Sequence, residues 1–435
     1  MTSIILMGIA LLAVSFFLYS MLFIQENRER AYLKFVLLAY PFISIDVLPS
    51  ILSTTLFVFI TAVFLIFFYQ FKPVKLRGSF PYHTLFILLL IMVGIGLWLS
   101  EEVSDESITD FIQLLAIFFF AKVLIDEMSR DLSFRSTVVQ SMKVTLLFSF
   151  AFLVFQFLFG PSFSIAKSQN VNVAGGIAIR YPSFFQDPQK YAQYLSASSF
   201  LMLLITDKKP SKSNYMAMLL CSISLIALLF TGGRASFGGW LVGLMIILVF
   251  GNASYRAIIL AGTLFISFFI YSYSDAIPIF KRDALDDAYA FRYAIWLDAF
   301  DIFLAHPFFG IGLGNYAHYV SIHNPDQFWI NDNDITFFDH PESGYLKLLT
   351  EFGIFGFLLV FMLILLPMYR GIKTYFTTKD FNIMVMVASL STWLIGFYTV
   401  YSLGDVRIKI LVVSIVCMLI ATSQEDAKSF KKSEA

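Results

Sequence analysis

The sequence predicts an all-α, polytopic membrane protein with about 12–13 transmembrane helices and one long outward loop carrying amphipathic helices, and three observations predict it. Of its 435 residues 58% are hydrophobic and 14% charged, against roughly 25% charged in a soluble domain. The apolar residues, 51 Phe among them, run in uninterrupted blocks instead of the period-2 or period-3.6 patterns of half-buried soluble elements. Basic residues recur in every second connection between those blocks. The formal net charge is zero, so no global field points to nucleic acid or to an acidic partner.

About 20 residues of helix cross the hydrocarbon core, because only a helix satisfies its own backbone hydrogen bonds there. Blocks of that kind fall at 3–23, 32–46, 50–71, 83–100, 109–125, 137–159, 189–206, 214–230, 235–251, 256–273, 343–368, 381–401 and 408–422. The first has no basic residue before it and no small-residue cleavage site after it, and is expected as a retained span. The second is short. Pro41, Asp46 and Pro49 mark a break between it and the third, where a re-entrant element would change the count. Cys221 and Cys417 each lie inside an apolar block, which suits packing better than a disulfide or a thiolate metal site.

Short cytoplasmic loops collect Lys and Arg. Here the basic connections carry Arg28, Arg30 and Lys34; Lys72, Lys75 and Arg77; Arg130 and Arg135; Lys208, Lys209 and Lys212; Arg256; Arg370, Lys373 and Lys379; and the tail Lys428, Lys431 and Lys432. The alternate connections include the acidic stretch from Glu101 to Glu106 and the long segments 160–188 and 274–342. Both long segments are therefore expected to face outward. The expected organisation is an N-terminal bundle 1–273, an extracytoplasmic loop 274–342, C-terminal helices 343–422 and a solvated cytoplasmic tail 423–435.

A charge near a span is either interfacial or functional, since an ionised Arg or Lys at mid-bilayer costs about 2.5–3.5 kcal/mol on insertion scales. Arg234, in FTGGRASFGGW, sits at the outer mouth of two tightly linked spans; Gly232 and Gly233 permit sharp turns, while Ala235, Ser236, Gly238 and Gly239 let another helix approach. A guanidinium beside a helix N-terminus is an anion site, or an interfacial cation that snorkels to lipid headgroups. Arg292 lies on a predicted amphipathic helix, 283–304, with Tyr289, Trp296, Ala299 and Phe303 on its face; there it binds a ligand or pairs with Asp298 or Asp301. The following GIGLG trails a helix instead of a strand, so a nucleotide motif is not supported.

In DHPESGYLKLLTEFGIFG, Asp339 and Glu342 read as a helix-capping pair with Pro341 in the first turn, and His340 stands where the outer loop enters the membrane. Ser343, Lys347, Thr350 and Glu351 then form a polar stripe that must face protein or water. An imidazole there suits general-base work; the bland readings are a capping histidine and an i,i+4 pair of Lys347 with Glu351. Arg180 and Lys190 add outward cations before the seventh span. Asp332, Asn333 and Asp334 read as a solvated turn, because the calcium-loop glycine is missing. His306, His318 and His323 show no metal-ligand spacing on a defined helix.

Taken together, R-x-x-S-F-x-x-D-P-x-x-x-A-x-x-L from Arg180, G-G-R-A-S around Arg234, R-x-x-x-W with downstream H-P-F-F-G-I-G around Arg292, and H-P-E-S-G-Y-L-K-L-L-T-E-F-G-I-F-G from His340 resemble the O-antigen ligase and polymerase superfamily. That group includes bacterial lipopolysaccharide ligases, repeat-unit polymerases and some protein oligosaccharyltransferases. The resemblance covers residues 175–370 at motif level and the whole chain in span layout. It implies a multi-pass protein of the bacterial inner membrane whose active site faces the periplasm. The implied donor is an undecaprenyl-diphosphate-linked oligosaccharide and the acceptor a glycan or a lipid A core. The implied reaction is inverting transfer with neither cofactor nor metal, Arg234 and Arg292 holding the diphosphate and Arg180 assisting. His340, or Glu342 in its stead, is the implied base, and Lys347 and Glu351 are further substrate-binding candidates on the polar stripe. One departure is plain: many relatives read H-x-H-N where this chain has Glu342 and Ser343 in the last two places. The rival reading from another class is a polysaccharide flippase or other transporter, although the candidate charges lie at one face and no internal repeat is evident.

Overall fold

The computed structural model describes residues 2–23, 28–43, 50–71, 82–100, 103–131, 133–160, 169–173, 176–185, 187–204, 213–251, 253–274, 277, 279, 285–324, 328–331, 334–337 and 341–434. Helices dominate them. In order come α1 Thr2–Phe23, α2 Arg28–Lys34, a π-helical turn Phe35–Ala39, α3 Tyr40–Ile43, α4 Ser50–Phe71, α5 His83–Leu99, α6 Asp105–Arg130 and α7 Ser133–Phe159. A hairpin of β1 Gln169–Val173 and β2 Gly176–Arg180 precedes α8 Pro188–Ser199, a 3-10 turn Phe200–Leu203, α9 Ser213–Thr231, α10 Arg234–Phe250 and α11 Ala253–Tyr273. The outer segment holds α12 Leu285–Ala305, α13 Tyr316–His323 and a second hairpin, β3 Phe328–Asn331 with β4 Asp334–Phe337; α14 Gly344–Thr378, α15 Phe381–Phe397 and α16 Val406–Glu434 complete the chain.

The protein is thus an all-α polytopic membrane protein. Among the described residues four helices are long and apolar enough to cross a bilayer, α6, α7, α14 and α16 to Gln424, and shorter apolar stretches lie in α1, α4, α5, α9, α10 and α15. Large apolar side chains such as Phe16, Trp98, Phe159, Leu264 and Phe268 are more than half exposed, a surface that lipid covers and water would not tolerate.

Three elements differ from expectation. The seventh block forms no continuous apolar crossing: α8 and its 3-10 turn are buried throughout from Tyr191 to Leu204 and carry polar side chains into the core. Gln193 donates to the Gly396 and Val400 carbonyls at 2.7 and 3.0 Å, and the Trp240 indole donates to Ser199 Oγ at 3.1 Å, as buried polar groups require. Both long outer segments contain two-stranded antiparallel hairpins that periodicity did not reveal, pairing Gln169 with Arg180 and Phe328 with Phe337 at their open ends. The expected tail is helical, α16 running on through Glu434.

The alternation of basic and acidic connections reappears as two ends of the bundle. Arg30 pairs with Glu127 and Asp131 at 2.7 and 2.6 Å, Arg28 donates to the Phe67 carbonyl and Arg135 to that of Ala421, and the Tyr375 hydroxyl reaches Phe250. These contacts gather the basic connections at one end. Ser100 bonded to Ile311, Arg180 to Thr231 and Arg292 to Glu342 gather the others at the opposite end.

Helix α14 breaks nine residues after its start, at Gly353, with φ +62° and ψ −174°. The break frees carbonyls and amides that lipid cannot satisfy, and the segment between α12 and α13 fills them. The Ile311 and Gly312 amides donate to Thr350 O and Glu351 O at 2.9 and 3.1 Å, while the Ile354 amide donates to Pro307 O at 2.8 Å. Gly310, at φ +70°, packs so tightly that a Cβ would strike the Thr350 carbonyl. The glycines of GIGLG and EFGIFG therefore serve backbone docking. Gly353→Ala forces a conformation that costs roughly 1–3 kcal/mol and drives a methyl into Phe308, whereas Gly238, which faces open space, tolerates alanine. Thermal unfolding in detergent is expected to drop by several degrees for Gly353→Ala and not for Gly238→Ala; equal melting of the two contradicts the docking.

Candidate active site

Arg234 is the first residue of α10, which starts abruptly because Gly232 takes φ +71° directly under the Arg180 side chain. Its Nε donates to the Ile279 carbonyl at 3.2 Å, so the guanidinium bridges the helix N-terminus to the stretch after α11. The close helix approach expected of this motif occurs at Gly239, where a Cβ would lie 2.6 Å from the Thr392 carbonyl on α15; Gly238 takes no part. Arg180 ends β2 and is buried: its Nε donates to Thr231 O at 2.7 Å, beside a 3.2 Å bond from Tyr181 N to Phe230 O. Arg180 thus fixes the turn that presents Arg234, and offers little surface of its own to a ligand.

Arg292 lies on α12 with the buried Ile295, Ala299 and Ile302. The buried face is shifted from the expected one, which placed Phe303 where Ile302 packs. Neither Asp298 nor Asp301 takes its guanidinium; Nη2 lies 3.2 Å from Glu342 Oε2. Burial, then the neighbouring Asp301 carboxylate, holds Asp298 above the ordinary aspartate range. Four residues beyond Arg292, Trp296 meets Tyr398 edge-on at 5.5 Å, and so joins α12 to the outer end of α15.

The junction before α14 corrects the expected cap. Ser343 is the N-cap, its hydroxyl accepting from Leu346 N at 3.5 Å, and Pro341 precedes the helix instead of opening it. Glu342 stands outside the helix at φ +49°, a left-handed conformation that is strained for a non-glycine residue and gathers at functional places. His340 and Asp339 lie outside the described residues, as do Asp332 and Asn333. The four described polar positions of the stripe face protein. Lys347 Nζ is 3.5 Å from Glu351 Oε1 and 4.7 Å from the centre of the Tyr401 ring. Glu351 has no accessible side-chain surface and accepts from the Tyr316 amide at 3.3 Å. The i,i+4 pairing is real, and Glu351 anchors the segment before α14 from a fully buried position.

Sequence reasoning missed the turn between α15 and α16. Arg407 is 7% exposed; its Nε and Nη2 grip Asp405 at 3.0 and 2.6 Å, its Nη1 donates to Phe184 O at 2.9 Å, and its guanidinium covers the Phe185 ring at 4.1 Å. Lys409 Nζ donates to Gln113 Oε1 at 3.0 Å, with Asp110 and Glu351 close enough to act on it electrostatically. A lysine inside an apolar block was the signal available. Around residues 396–405 the structure therefore brings α8, α10, α12, α14 and α16 together: Gly396 lies against Gln193 and Ser236, Tyr398 against Trp296, Tyr401 against Lys347, and Asp405 against Arg407. A largely apolar cavity of about 130 Å³ lies beneath, between α5, α6, α14 and α16, with Asp110, Tyr401 and Lys409 among its walls.

Burial acts to raise the Asp405 carboxyl, but Arg407 by charge and hydrogen bonding, with Lys190, holds it below its ordinary value. A depressed carboxylate stabilises the fold above its unfolded pKa, and that stability is lost as pH falls through the folded pKa. The loss is expected below about pH 4. Removing one partner of such a buried pair costs about 3–5 kcal/mol, so Asp405→Asn is expected to melt far below the parent at pH 7 and to lose this acid dependence. Parallel pH profiles of Tm for the two proteins contradict the pairing.

Residues 219–361 match the family model described as O-antigen ligase. The matched span runs from within α9 to within α14 and contains Arg234, Arg292, Glu342, Lys347 and Glu351. A comparison with curated proteins gives no match.

Proposed function

With residues 219–361 placing this multi-pass membrane protein in the O-antigen ligase and polymerase superfamily, we propose that it transfers or polymerises undecaprenyl-diphosphate-linked glycan in surface polysaccharide synthesis. The work is done at the end of the bundle opposite the basic connections, on the periplasmic face of a bacterial inner membrane. The reading is carried by one observation: Arg292 and Glu342 form a 3.2 Å pair immediately before the N-cap of α14, in the same matched segment that starts α10 with Arg234. The division into bundle 1–273, outer loop 274–342 and C-terminal helices 343–422 fits this role, with the loop as the lid over the donor.

No nucleotide sugar or ATP is at hand outside the cytoplasm, so the energy for a glycosidic bond arrives with the donor. The acceptor hydroxyl attacks the anomeric carbon from the face opposite the diphosphate. A new C–O bond forms as the bond to the diphosphate oxygen breaks, and the electron pair leaves on the carrier lipid. The hydroxyl proton passes to His340, or to Glu342 if the imidazole does not serve. Arg234 and Arg292, rather than a metal ion, neutralise the charge that grows on the departing diphosphate, the kind of preorganised stabilisation that usually contributes most. Arg180 and Glu351 act behind them as positioning residues, and Lys347 lies between Glu351 and Tyr401. The apolar cavity below Lys409 is suited to a lipid chain.

Arg234→Ala and Arg292→Ala are each expected to lower transfer by at least 100-fold, about 2.7 kcal/mol, with protein abundance unchanged. Formation of the glycosidic bond by purified protein from a lipid-linked donor is the measurement, and retained transfer in both variants rejects the roles. Gene deletion assigns the acceptor: long polymer stranded on carrier lipid marks a ligase, single capped repeat units a polymerase.

A further inference from the structure

Beyond the reacting end of α12, the outer segment encloses a cavity of about 250 Å³ against the end of α5. A single water needs only roughly 10–15 Å³ of such space, so there is room for a sugar ring. Its character differs from both places described above. Its described walls hold Ser100, His306, Asn315, His318, Tyr319 and His323, with apolar side chains filling the gaps, and none of the described lining residues is a Lys, Arg, Asp or Glu.

The site is built. Tyr319 stands at its centre, its ring stacked on His323 at 4.2 Å and 16° and meeting His306 edge-on at 5.7 Å, with His306 Nε2 3.3 Å from the Tyr319 hydroxyl. Asn315 is held by its amide nitrogen, which donates to Ser100 Oγ at 3.0 Å and to Ile311 O at 3.1 Å. The frame behind it is the same 306–312 segment that braces the break in α14, so the cavity is fixed to the span that carries Glu342. Imidazole, hydroxyl and amide groups together offer hydrogen-bond donors and acceptors, and ring faces receive the apolar C–H face of a pyranose. Among the described lining residues a diphosphate would find no Lys or Arg, and a lipid chain would strand these polar groups.

We propose that this cavity is a glycan subsite that holds a neutral sugar residue of the acceptor or growing chain at a distance from the reacting bond. His306 follows Arg292 by 14 residues, about 20 Å along a helix, a stretch that several sugars in a row would span. The inference rests on the glycosyl-transfer reading, and it adds to that reading a second grip. Binding energy gained there orients the reacting hydroxyl.

The test uses full-length protein in detergent and, as probe, the repeat-unit oligosaccharide released from its carrier lipid by mild acid. Binding of this free sugar and transfer from the lipid-linked donor are measured separately in wild type, Tyr319→Ala, Ile322→Trp, which fills the cavity from its rim, and Arg292→Ala. The expected result is that wild type and Arg292→Ala bind the sugar alike, while Tyr319→Ala and Ile322→Trp weaken it about tenfold and raise the acceptor KM with kcat retained. Two results overturn the subsite: no binding of the sugar by wild type, or equal binding by the Tyr319 and Ile322 variants in folded protein. Transfer that survives in Arg292→Ala instead refutes the role of Arg292 in the glycosyl-transfer reading, whatever the sugar does.

Discussion

The break in α14 at Gly353 is the constraint on which the outer half of the molecule depends. Inside a membrane, a helix that stops satisfying its own backbone must find partners of fixed geometry, since each unsatisfied group costs several kcal/mol. Here the partners come from residues 307–312, and the exchange runs both ways between the two strips of backbone. The outer segment is therefore not a loop laid on top of a bundle. It is bonded into the bundle, and everything carried by α12 and α13 inherits a fixed position relative to α14.

That fixed relation gives the charges their meaning. Arg292 reaches Glu342 with α12 held at two places, to the end of α15 by Trp296 against Tyr398 and, through the segment that follows it, to the braced break in α14. Glu351 strengthens the same joint by taking the Tyr316 amide while Lys347 balances its charge. Arg180 does for α10 what Glu351 does for α14: each is a buried polar side chain that places a neighbour. Arg234 and the Arg292–Glu342 pair lie at the starts of α10 and α14, unlike the midplane charges of a carrier.

Much of this was legible in the chain. Block lengths gave helix limits close to those of α1, α4, α5, α9, α10 and α15, and the basic connections sorted the two ends. Arg234 at a helix start and the inward stripe of α14 were also readable, because a helix period fixes which residues share a face. What escaped depends on contacts remote in sequence. Ser343 caps α14 because Glu342 pairs with a residue fifty positions earlier, which no local capping rule contains. The hairpins are only four or five residues to a strand, too short for a period-2 pattern to stand out. Arg407 and Asp405 sit at the edge of an apolar block, where a cation reads as interfacial until Phe184 and Phe185 are seen to cover it. The three histidines of the outer segment were judged by metal spacing alone, a question that their ring-lined cavity does not ask.

The decisive measurement is a cryo-EM map of the full-length protein in lipid nanodiscs with undecaprenyl diphosphate. The expected map has the diphosphate between the guanidinium groups of Arg234 and Arg292, with the 307–312 segment bonded into the break of α14. A diphosphate bound among the basic connections at the other end, or an outer segment detached from α14, would contradict it.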